Sequence, residues 1–204
     1  MLVLALIYTF IRWAVTAIVL AGILLIILRS VFNYIDVNPF TWHARNVRRA
    51  TDPIIAPIRR MLISFRLDPK VAPFIIIILM IVIGFLIVQI ANTLLNTIAG
   101  VFYTVTERGS AAVGIAGYLL FGAFGLYTLA IFTRIVLAWI GVSYANPLAR
   151  FLVRITEPLL GPLRRLVPTV GMFDVSPIVA FLICWVCQAA VAATLLQGWP
   201  LSFF

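Results

Sequence analysis

Few residues in this sequence could do chemistry, and their spacing says which kind. The most ordered set is ionic. Arg29 precedes Asp52 by 23 residues, and Arg134 precedes Glu157 by the same interval. Each arginine closes an apolar run, and each acid lies in a basic segment. Opposite charges placed this way read as an ion pair pinning a surface segment to the end of a span, because a charge near the headgroup boundary costs less when paired. The acids belong to a motif written twice. One copy runs Arg49-Ala50-Thr51-Asp52-Pro53 and on through Pro57 to Arg59-Arg60. The other runs Arg154-Ile155-Thr156-Glu157-Pro158 and on through Pro162 to Arg164-Arg165. From Arg49 to Arg154 is 105 residues, and the same offset pairs Arg29 with Arg134 and Arg45 with Arg150. A fixed internal period sets an architecture.

The other candidates are weaker. His43 is the sole histidine, and a lone interfacial histidine beside Trp42 reads as a surface residue before a haem ligand. Cys184 and Cys187 share one helical face, with no following His and no second pair, so they read as small apolar residues in a membrane helix. Gln89, Asn92, Thr93 and Asn96 also fall on one helical face. They either bond to neighbouring helices or line a channel. No Ser/His/Asp or Cys/His constellation is present, so an enzyme, a cofactor and a metal are not expected.

These residues need elements to hold them. The chain has 204 residues, 64% apolar and 10% charged. A soluble domain is nearer 45–50% apolar and roughly 25% charged, so this is an integral membrane protein. Its net charge is +9. The basic residues cluster between apolar runs, which makes anionic headgroups of the bilayer the expected partner, with other membrane proteins and without direct nucleic-acid contact.

Four spans are expected, at about 4–32, 73–102, 114–140 and 177–196. Arg12 and Arg29 lie near opposite ends of the first. The run from Met1 lacks a signal-peptide pattern and is long enough to remain as a span. Basic interfacial segments cover 33–72 and 141–175, and a short link covers 103–113. Asn38-Pro39, Asp68-Pro69 and Asn146-Pro147 read as turns, and about 41–50 as a short amphipathic helix. Thr-acid-Pro reads as a helix start, and the second proline four residues on should bend or stop that helix. Gly114, Gly117, Gly122 and Gly125, with Ala189 and Ala193, offer small faces for close helix packing. Asp174 with Ser176-Pro177 suits the start of the last span.

The positive-inside rule puts both basic segments in the cytoplasm, with the termini and link outside. The expected fold is therefore all-α, with four membrane helices in two parallel repeats, 1–102 and 114–204, each carrying a cytoplasmic-side interfacial segment.

The second repeat, through Arg134, Trp139, Asn146-Pro147, Thr156-Glu157-Pro158, Pro162, Arg164-Arg165, Pro168, Gly171, Asp174 and Ser176-Pro177, resembles the YggT family of membrane proteins. The first is looser: Asp68 keeps the acid without the Gly and Ser-Pro around it. The resemblance implies a bacterial cytoplasmic or plastid membrane. Relatives are linked to haem assembly on the cytochrome b6 side of photosynthesis, to nucleoid or division-site organisation, and to osmotic tolerance. It implies no catalytic residue. A scaffold or assembly factor for a larger membrane complex is the expected function; a small-solute channel or transporter is the alternative.

Overall fold

The structure, a computed structural model, describes residues 2–35, 41–64, 68, 71–107, 111–140, 142, 145–167, 174–196 and 198. These residues form six helices in chain order: α1 (Leu2–Tyr34), α2 (Trp42–Ser64), α3 (Ala72–Glu107), α4 (Ala111–Trp139), α5 (Pro147–Leu166) and α6 (Ser176–Thr194). Helices α1, α3, α4 and α6 are long and apolar enough to cross a membrane, so the protein is a multi-pass helical membrane protein. Their sequences allow this because proline appears only in the first turn of α3 and α6, where its missing N–H breaks no helical bond. At about 1.5 Å per residue, α6 matches the roughly 30 Å hydrocarbon layer. The 33 residues of α1 and 36 of α3 exceed it, so those helices tilt or protrude.

Helices α2 and α5 are amphipathic, and both depart from the sequence expectation. Thr156-Glu157-Pro158 does not start a helix. It lies in the middle of α5, and that helix neither starts at Pro158 nor stops at Pro162. The helix begins instead at Pro147, where the Asn146 side chain accepts a hydrogen bond from Leu148 N at 2.9 Å. Asn146-Pro147, expected as a turn, is thus a helix cap with proline in the first turn. In α2 the short helix expected over 41–50 likewise continues through Thr51-Asp52-Pro53 to Ser64. Thr41 stands where Asn146 does, its carbonyl accepting from Arg45 N at 2.9 Å, as Asn146 accepts from Arg150 N at 3.1 Å. A cap plus a full packed face outweighs two proline penalties of about 3 kcal/mol each. Asn38-Pro39, Arg66, Pro69, Lys70, Arg108, Pro168 and Gly171 lie outside the described residues.

The chain forms two compact units, Thr9–Val88 and Met1–Tyr8 with Gln89–Phe204. In the first, Ile26 of α1, Ile55 and Leu62 of α2, and Ala72 and Ile76 of α3 are buried together, with Ile58 and Ile75 against them. In the second, Ile131 of α4, Leu160 and Leu163 of α5, and Ala180 and Cys184 of α6 do the same, with Phe181 against them. Ile26 and Ile131, Ile55 and Leu160, Ile58 and Leu163, Ile75 and Ala180, and Ile76 and Phe181 are each 105 positions apart. Each unit therefore buries equivalent positions of its own span, surface helix and next span. Burial of such side chains contributes about 1.5–3 kcal/mol apiece where water is the alternative solvent. Between lipid-exposed helices, close packing takes over that role.

Close packing is visible along α4 in the second unit. A Cβ on Gly114 would strike the Thr104 side chain, one on Gly122 would strike Thr97, and one on Gly125 would meet Thr93 at 3.0 Å. On α3, Gly100 would strike Tyr118 of α4 in the same way. Partners descend α4 as they ascend α3, so the second half of α3 packs antiparallel on α4, threonine against glycine. Gly117 instead makes room for Leu195 and Leu196 beyond the end of α6. α4, α5 and α6 also pack on one another.

Candidate functional site

Arg29 lies five residues before the end of α1, and Arg134 five residues before the end of α4. Both reach sideways to a surface helix of their own unit. Arg29 donates from Nη1 to Thr51 Oγ1 at 2.6 Å and pairs through Nη2 with Asp52 Oδ1 at 2.8 Å. Arg134 donates from Nη1 to Thr156 Oγ1 at 2.8 Å and from Nη2 to Glu157 Oε2 at 2.7 Å. Adjacent acceptors one residue apart on a helix thus fill two prongs of a planar, forked donor.

The threonine was legible as part of the motif but not in this role. Its hydroxyl has one proton and two lone pairs. Thr156 spends the proton on Leu152 O at 2.7 Å, and Thr51 on Val47 O at 2.7 Å. A lone pair remains for the arginine. Both threonines are buried, Thr156 completely. The arginine side chains are 10% exposed, whereas Asp52 and Glu157 are 57% and 46% exposed. The desolvated partner is therefore the arginine. An exposed ion pair contributes about 0–1 kcal/mol, but a buried charge left without its partners costs about 3–5 kcal/mol. The cluster's strength lies in that asymmetry: α1 and α4 each carry a charge that only the surface helix satisfies.

Each unit adds its own second tie. In the first, Arg48 Nη2 donates to Asn33 Oδ1 of α1 at 3.2 Å. In the second, Arg164 Nε donates to Asp174 Oδ2 at 2.8 Å, and its Nη1 lies 3.8 Å from Glu157 Oε1. Asp174 Oδ1 accepts from Ser176 N at 2.9 Å, at the start of α6. A chain of charges therefore links the end of α4, the middle and end of α5, and the first turn of α6. Partial burial raises the Asp174 carboxyl, but hydrogen bonds from Ser176 and Arg164 and the Arg164 charge outweigh it and hold it below the ordinary carboxylate range.

The remaining candidates separate. Pro53, Pro158 and Pro162 lie exposed along the surface helices, as do Arg59 and Arg165. Pro57 and Arg60 lie within α2, but their side chains are outside the described residues. Pro147 starts α5, and Pro177 is buried in the first turn of α6. Ala189 and Ala193 both lie in α6. Of the amide face on α3, Asn96 donates to Asn92 O and Oδ1 within the helix at 2.9 and 2.7 Å, and Thr93 packs on Gly125. Gln89 is half-buried. His43 is exposed, its ring centroid 5.0 Å from that of Trp42 in an edge-to-face arrangement. Among the described residues, no three His, Cys, Asp or Glu side chains converge on a metal site. One polar tie was missed altogether. Gln188 of α6 donates to Phe121 O of α4 at 3.2 Å, at the level where Gly125 leaves the α4 backbone bare.

Fold and site together define a multi-pass membrane protein whose surface helices are clamped to the ends of its spans. Residues 113–195, which hold most of α4, all of α5 and α6 and the Arg134 cluster, match the CCB3/YggT family. The chain is 36% identical over 70 residues to the uncharacterized protein YggT of Escherichia coli (strain K12), 34% of this chain and 37% of that protein. It thus spans little more than a third of that relative's length. An uncharacterized protein of Pseudomonas aeruginosa is 29% identical over 171 residues, covering 78% of this chain and 77% of its own. One from Haemophilus influenzae is 28% identical over 160 residues, covering 78% and 79%. No solved structure matches significantly.

Proposed function

We propose that this chain is a non-enzymatic membrane scaffold that assembles or stabilises another membrane complex. It is built as two tandem repeats, 1–102 and 114–204, in a bacterial cytoplasmic membrane with both surface helices on the cytoplasmic side. The observation that carries this reading is the use made of the polar groups at the candidate site. The Arg29 and Arg134 forks are occupied by Thr51, Asp52, Thr156 and Glu157 of the same unit. Their chemistry is spent on holding a helix in place, and the outer faces of α2 and α5 are left to meet partners. The channel alternative has less to rest on, because Thr93 of its polar face packs against Gly125 of α4 and Asn96 donates to Asn92 within the helix.

Purification in mild detergent at native expression tests the proposal. One stoichiometric membrane complex should accompany the chain. A chain that purifies alone and leaks ions or small solutes after reconstitution would contradict the scaffold and favour the channel.

A further inference from the structure

The outer row of α5 carries a pattern that clamping does not explain. Arg150, Arg154, Pro158, Pro162 and Arg165 follow at helical spacing and are all exposed, opposite the buried row Ala149, Leu152, Thr156, Leu160 and Leu163. The same residue types recur 105 positions earlier, as Arg45, Arg49, Pro53, Pro57 and Arg60. Two positions between them do not repeat: Phe151 and Ile155 stand where the first copy has Asn46 and Ala50. No ion pair among the described residues holds Arg150, Arg154 or Arg165.

The prolines have a second consequence. Proline has no N–H, so Pro158 cannot bond back to Arg154 O, nor Pro162 to Pro158 O. Two carbonyls on the outward row thus lack their usual helical donor, directly beside two arginines one turn apart. To one side of the row, Leu148, Phe151 and Leu166 are exposed, a flank suited to acyl chains. Guanidinium groups call for a phosphate, and bare carbonyls call for hydrogen-bond donors. An ammonium headgroup would supply donors but meet an arginine row.

We propose that this row binds an anionic glycerophospholipid whose headgroup carries free hydroxyls, as phosphatidylglycerol does. The phosphate sits on Arg150 and Arg154, and the hydroxyls donate to Arg154 O and Pro158 O. This does not rest on the scaffold reading, and its test reads lipid binding directly.

The full chain in a neutral detergent is titrated with short-chain phosphatidylglycerol, phosphatidylmethanol and phosphatidylcholine. Phosphatidylmethanol has the same charge without the hydroxyls. Phosphatidylglycerol should bind about tenfold tighter than phosphatidylmethanol, as expected for hydrogen bonds to bare carbonyls, and phosphatidylcholine weakest. Pro158→Ala combined with Pro162→Ala restores both helical donors and suits a helix. It should erase the gap between the two anionic lipids while keeping both above phosphatidylcholine. Arg150→Gln with Arg154→Gln should weaken both anionic lipids alike. Equal binding of phosphatidylglycerol and phosphatidylmethanol by the unaltered chain would overturn the proposal. So would a gap that survives both alanines, and so would indifference to all three headgroups, which would leave the row to a protein partner.

Discussion

Thr156 is the smallest part of the clamp and the most informative. Replacing it with valine keeps shape and burial but removes the acceptor for Arg134 Nη1. Leaving a buried donor unpaired costs about 1–3 kcal/mol, so Thr156→Val should lower the melting temperature in detergent, and Thr51→Val should do the same in the first unit. Reversing Arg134 and Glu157 together should recover part of the loss seen in either single reversal. Recovery stays partial because the swap cannot restore the threonine contact. A double reversal no better than the worse single would show that the pair contributes nothing. Asp174 gives a pH signature. Its carboxyl is held low in the folded protein, so its stabilising effect is fully present above the ordinary carboxylate range near 4. It fades as pH falls through the lowered value. The melting difference between the unaltered protein and Asp174→Asn should be constant from pH 7 to about 5 and shrink as pH falls below about 4.

At the scale of elements, the four spans were legible because nothing but a membrane helix suits such long apolar runs. Surface helices were misread at their starts. Local signals placed a cap at Thr156, yet that hydroxyl is turned to Leu152 O and Arg134, a tertiary use invisible in a local pattern. The interval between Arg134 and Glu157 did reveal the clamp, because the repeat exposed it twice. Glycine packing was legible as a tendency, but its partners, Thr93, Thr97 and Thr104, were not, since a threonine in an apolar helix carries no local mark of the glycine it meets. The two kinds of glycine can be told apart by experiment. Gly122→Leu should destabilise by about 1–3 kcal/mol through collision with Thr97. Gly161 of α5 has only ordinary contacts, with Glu157 at 3.6 Å, so Gly161→Ala should raise the melting temperature through helix propensity of about 0.5–1 kcal/mol. Thermal melts of the two variants in one detergent check both signs.

For the whole molecule, each unit sets a buried arginine near the end of a span and gives it acceptors on an amphipathic helix. That arrangement fixes each amphipathic helix against the end of a span. If the basic helices are cytoplasmic, single cysteines at Arg49 and Arg165 in a background without Cys184 and Cys187 should resist an impermeant thiol reagent in intact cells. A cysteine at Val113 should react. Arg134 holds α5 against the end of α4. Amide hydrogen exchange over residues 147–166 in the unaltered chain and in Arg134→Gln measures this directly. α5 should be protected in the unaltered chain and lose protection by a large factor in the variant, while the middle of α6 stays protected. Equal protection of α5 in both proteins would contradict the clamp.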